Sequence, residues 1–165
     1  MDERPLWAPW RIDYVTGEKS GRCIFCLAAS EEDGPDRALV IERGERCFAM
    51  LNAFPYASGH VMVAPYRHVG DLGALEEGEL DEIMRMVRRE VQALERLMRP
   101  QGFNVGLNLG AAAGAGFEDH LHFHVVPRWS GDTNFMPVIA GTRVISQALE
   151  ETAKALRETL AGDGP

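Results

Sequence analysis

Asp119-His-Leu-His-Phe-His-Val-Val-Pro-Arg128 is the stretch from which the rest of the chain is read. His120, His122 and His124 recur at every second position, and Leu121, Phe123 and Val125 between and after them are apolar. A strand turns alternate side chains to opposite faces. The spacing therefore predicts a strand over 120–126, with three imidazoles in a row on one face and the apolar set toward the core. A single histidine would read as a hydrogen-bonded structural residue; three at strict period two point to chemistry. Two arrangements fit: a metal site of the His-x-His kind, or a nucleophile flanked by supporting histidines.

Working outward, Ala38–Glu42, Cys47–Leu51, His60–Ala64 and Phe103–Leu109 are short runs of strand composition, and Asn52–Gly59 is a turn between two of them. Ile83, Met86, Val87, Val91, Leu94, Leu97 and Met98 recur at steps of three and four, predicting a helix from Glu77 that stops before Pro100. A second amphipathic helix is expected over about 143–160, and a single helical piece around Cys23 and Cys26. Five strands and two main helices make one α+β domain over 1–165, with a mainly antiparallel sheet and an N-terminal arm over 1–20.

The chain has 17 Lys and Arg against 25 Asp and Glu, a net charge of −8. That balance argues against a nucleic-acid or membrane-surface binder, which relies on excess positive charge. No apolar run reaches membrane-spanning length, and MDERPLWAPW has no signal-peptide pattern, so the expected location is the cytoplasm. Cys23-x-x-Cys26 in such a chain reads as reduced thiols, a redox pair or half a metal site. Cys47, in an apolar strand, reads as a core thiol. The glycines of Gly114-Ala115-Gly116 permit the close approach or positive φ of an anion-binding nest, and the segment's place directly before the histidines favours that use over a plain connector.

His120-Leu-His-Phe-His-Val-Val resembles the His-x-His-x-His-x-x signature of the histidine triad superfamily. Asn52-Ala-Phe-Pro-Tyr-Ala-Ser-Gly-His60 and Asn108-Leu-Gly look like two further landmarks of that family. The frame from Trp7-Ala-Pro-Trp-Arg11 to Phe135 is similar to a bacterial branch that includes diadenosine tetraphosphate phosphorylases.

The resemblance implies a histidine triad fold, a homodimer, and cleavage of a nucleoside 5′-phosphoryl compound, foremost a dinucleoside polyphosphate, at its α-phosphate. It makes His122 the nucleophile, forming a nucleotidyl-histidine. His124, about 7 Å further along the strand, contacts the phosphate and leaving oxygen, and His120 supports both. Asn52 would meet the ribose hydroxyls, and Asn108 with Gly114, Ala115, Gly116 and His124 the rest of a purine nucleotide.

Cys23 and Cys26 would join His68 and His120 around a structural zinc that braces the fold and orients the triad. Many relatives carry Gln, Ser or Thr in the loop where this chain has Ala115 and Gly116, with one extra residue before the triad, so the acceptor, water or phosphate, stays open. Arg128 is the cation nearest the triad and could simply pair with an acid; Asp132 and Asn134 receive no role. The rival readings are a nucleoside phosphoramidate hydrolase, a slowly hydrolysing nucleotide sensor, and a metallohydrolase built on the three histidines.

Overall fold

The computed structural model describes residues 23–30, 38–132 and 148–162. The N-terminal arm, residues 31–37, Asn134, Phe135 and the start of the last helix at Arg143 lie outside the described residues. A six-residue helix, α1 (Ile24–Ala29), follows Cys23. Then come β1 (Val40–Arg43), β2 (Cys47–Leu51) and β3 (Val61–Pro65), an antiparallel meander. The long helix α2 (Glu77–Met98) leads to β4 (Gly102–Gly106) and β5 (Phe123–Arg128), and α3 (Leu149–Ala161) closes the described chain. The sheet order is β1-β2-β3-β5-β4, antiparallel at every junction. This is the α+β architecture expected from the sequence.

β2 and β3 are buried at every position, which explains why Cys47–Leu51 and Val61–Pro65 read as continuous apolar runs rather than alternating ones. α2 lies across β2, β3 and β5 on Ile83, Met86, Val87 and Leu94, and α3 packs on α2 and β1. A capping box between Glu76 and Glu79 starts α2, and Arg99, left-handed at φ 49°, ends it ahead of Pro100. Arg67 grips Glu79 with bonds of 3.0 and 2.6 Å and holds its carboxyl below the usual range, tying the helix start to the segment after β3.

β1 and β3 shift by one or two residues from the expected bounds, as β1 does from Ala38–Glu42 to Val40–Arg43, and two larger differences share one reason. The last strand begins at Phe123 rather than His120, and the strand expected over Phe103–Leu109 stops at Gly106, which pairs with His124. Residues 120–122 leave the sheet, with Leu121 N–H donating to Val69 O at 2.7 Å, so among the described residues Leu107 onward has no partner strand. Gly70 permits this approach, since a Cβ there would lie 2.4 Å from Glu118 O.

One buried group is not apolar. Glu90 on α2 is 0% exposed, and taken as carboxylates neither of its oxygens, nor Glu42 Oε2, has a partner among the described residues. Burial, then the neighbouring Glu42, hold Glu90 well above the usual carboxylate range. A neutral Glu90 can donate to Glu42, whose other oxygen pairs with Arg89, and that one proton satisfies two of the three oxygens.

Candidate active site and metal centre

The chain's departure from the sheet at 120–122 gives the three imidazoles different surroundings. His120 is fully buried. Its Nε2–H donates to Pro65 O at 2.8 Å, which leaves Nδ1 as the lone-pair nitrogen. Nδ1 faces Cys23 Sγ at 3.3 Å, Cys26 Sγ at 3.6 Å and His68 Nδ1 at 3.3 Å, and Cys26 Sγ lies 3.3 Å from His68 Nδ1. All four ligand atoms lie within 4.8 Å of one another.

Tetrahedral zinc with its usual bond lengths requires sulfur–nitrogen edges of about 3.6 Å and nitrogen–nitrogen edges of about 3.3 Å. The spacing and the donor set both fit. Burial, then the Cys23 thiol, push Cys26 up to about 11, so a bound cation is what would draw the protons from this thiol pair.

His122 is buried, and its Nδ1–H donates to the backbone oxygen of His120 at 2.9 Å, leaving Nε2 unprotonated. Burial lowers its pKa, opposed by that backbone bond, so the ring is neutral and nucleophilic at pH 7. His124 meets His122 edge-on, with ring centroids 4.9 Å apart, and burial followed by the His122 charge pushes it down to about 4.

The protonation of His124 follows from a chain of contacts that begins on the backbone. Tyr56 N–H donates to His60 Nδ1 at 3.1 Å, so in a neutral His60 the proton is on Nε2, 2.9 Å from His124 Nδ1. His124 Nδ1 accepts that proton's hydrogen bond, and its own proton therefore sits on Nε2, a buried atom with no hydrogen-bond partner among the described residues. The site thus sets a lone pair on His122 beside a hydrogen-bond donor on His124. Sequence reasoning gave His60 no role. The available signal was its place one residue before β3, on the face that Met62 shares with its partner His124.

Other expected site residues are placed as follows. Asn52 accepts from Phe54 N–H at 2.9 Å and its amide lies 3.4 Å from His60 Nδ1, beside the relay. Asn108 is half-buried just beyond β4. Gly114 is left-handed at φ 86°, but its N–H donates to Ala111 O at 2.9 Å and that of Ala115 to Gly110 O at 3.3 Å. Those two amides are engaged within the turn, so the nest expected over 114–116 is not open there. Arg128 is paired with Asp132 and donates to Asn104 Oδ1 at 2.8 Å, which makes it a brace for the loop after β5. Cys47 is fully buried, its thiol pushed up to about 12 by burial and then Glu82.

Three histidines with divided proton roles at the lip of a five-stranded antiparallel sheet define a histidine triad protein. The chain belongs to the HIT domain family, whose model matches residues 35–131. It is 41% identical to the AP-4-A phosphorylase of Mycobacterium tuberculosis over 162 residues, spanning 92% of this chain and 81% of that protein. It is 33% identical over 98 residues to the asymmetrical bis(5′-nucleosyl)-tetraphosphatase of Schizosaccharomyces pombe, spanning 59% of this chain and 53% of that one. A zinc-bound histidine triad family protein from Mycobacterium smegmatis superposes with a TM-score of 0.69 at 27% identity, covering 87% of this chain and 96% of its own.

Proposed function

We propose that this protein is an enzyme cleaving dinucleoside polyphosphates at the α-phosphate, with inorganic phosphate as acceptor. The observation that carries the reading is the pairing of a lone pair on His122 Nε2 with a proton on His124 Nε2. His122 Nε2 attacks the α-phosphorus, a P–N bond forms and the bridging P–O bond breaks. The leaving nucleotide departs as an anion that needs no proton, while His124 Nε2–H donates to the oxygens that gain charge. An acceptor oxygen then attacks phosphorus, the P–N bond breaks and His122 is restored.

A neutral His124 whose second nitrogen already accepts from His60 is a donor rather than a base. Water would need a base to take its proton, whereas phosphate brings an anionic oxygen. This favours phosphorolysis, as does the likeness to the mycobacterial phosphorylase. Hydrolysis is the second reading, supported by the likeness to the fission-yeast tetraphosphatase. Asn52 and Asn108 contact the ribose and phosphates, Ala115 and Gly116 leave room for the acceptor, and the nucleotide is a purine one.

Zinc is held by Cys23, Cys26, His68 and His120. When bound it supplies the positive charge that keeps the thiolates and fixes His120. A homodimer fits the edge strand β4, whose Val105 is exposed.

Product analysis from diadenosine tetraphosphate tests the proposal. ADP and ATP formed in proportion to added phosphate are expected. AMP and ATP whatever the phosphate concentration would assign hydrolysis, and no cleavage would end the reading.

A further inference from the structure

α1 carries more than two thiols. Between Cys23 and Cys26, Phe25 turns inward and is 0% exposed. Its ring stacks on the His122 imidazole, with centroids 4.7 Å apart and planes 28° apart, and lies 5.1 Å from the ring of His120. It meets Phe117, next to Gly116, edge-on at 5.9 Å.

The helix that holds Phe25 has six residues and no side-chain cap at its start. At its far end Arg43 donates to Ala28 O at 2.9 Å and Ala29 O at 3.2 Å; at its start are the two thiols of the metal centre. A helix this short does not hold itself in place, so these anchors set where Phe25 sits.

The bond from His122 Nδ1–H to His120 O fixes one corner of the imidazole but leaves its plane able to tilt about that contact. A flat aromatic face against the ring removes the tilt. We propose that Phe25 is a positioning residue for the nucleophile: its ring fixes the plane of His122, so that Nε2 points along the line of attack. The inference rests on the reading of His122 as the nucleophile. It also joins the metal centre to the chemistry, because the ligands flanking Phe25 set the position of the ring that aligns His122.

The test compares Phe25→Tyr with Phe25→Leu. Tyrosine keeps the flat ring but buries a hydroxyl, which costs stability; leucine keeps an apolar filling but loses the plane. Positioning predicts that Phe25→Leu lowers kcat by about 10- to 100-fold with KM nearly unchanged, as misplacement of a reacting atom by up to about 1 Å does. Phe25→Tyr should retain most of kcat even if it melts lower.

Packing alone predicts the reverse order, with activity following stability, and that result overturns the proposal. In the wild-type protein the ring current of Phe25 should shift the carbon-bound ring protons of His122 upfield of those of exposed His68. Unshifted His122 protons would also overturn it. His122→Ala, measured alongside, separates the two ideas: near wild-type turnover there removes the nucleophile itself, whereas an inactive His122→Ala with a fully active Phe25→Leu removes only the role of Phe25.

Discussion

Replacing Cys23 and Cys26 together by serine should lower the melting temperature by about 10 °C. Without the thiolates the four-ligand set that would hold a metal is broken, and the Arg43 contacts at the far end of α1 remain. What α1 then fails to bury is chiefly Phe25 and Ala28, both 0% exposed. Full burial of a phenylalanine is worth about 2–3 kcal/mol and of an alanine methyl about 1 kcal/mol. Together they give about 3–4 kcal/mol, and in a chain of this size each kcal/mol moves the midpoint by about 2–4 °C.

The assay is thermal unfolding with and without a strong chelator, beside elemental analysis of protein purified without added metal. The wild type should carry one zinc per chain, chelator should reproduce the loss seen in the mutant, and the mutant should ignore the chelator. A metal-free wild type together with an unchanged midpoint in the double mutant would refute the reasoning.

The buried acid pair gives a pH-dependent outcome. Glu90 titrates higher in the folded than in the unfolded protein, so its contribution is complete below the unfolded value near 4.3 and is lost as pH rises toward the folded one, by about 1.4 kcal/mol per unit. Glu90→Gln stays neutral and can still donate to Glu42, so its stability advantage should widen from pH 5 to pH 8; an advantage independent of pH would count against the shared proton. His60→Leu removes the bond that orients His124 and should lower kcat by about 10- to 100-fold, the usual cost of losing an orienting partner. An unchanged kcat in purified, folded His60→Leu would show that the relay does not matter.

The period-two spacing of the histidines was legible as a local pattern, but the strand it predicts holds only His124, because β5 begins at Phe123. The sheet and α2 were legible for the same reason, since the apolar spacing of 83, 86, 87 and 94 is a local pattern. The departure of 120–122 from the sheet was not, because it depends on Val69 and Gly70, some 50 residues away. The Cys23–Cys26 spacing alone left three uses open. Its junction with His68 and His120 was expected only from the family resemblance, and the fold brings those four side chains together.

Phe25 illustrates the limit of local reading. In sequence it is one apolar residue between two cysteines, and its contact with His122 is made by tertiary structure alone. The loop over 114–116 was read from glycine's freedom, but freedom of φ does not say whether an N–H faces a ligand or its own turn.

The central claim is that His122 takes the nucleotidyl group before the acceptor does. The stereochemical course at the α-phosphorus tests it most directly, with a substrate made chiral there by sulfur and an oxygen isotope. Each in-line displacement inverts phosphorus, so attack by His122 followed by attack of phosphate or water predicts overall retention. Inversion would mean that the acceptor displaces the leaving nucleotide in one step, and would contradict the account.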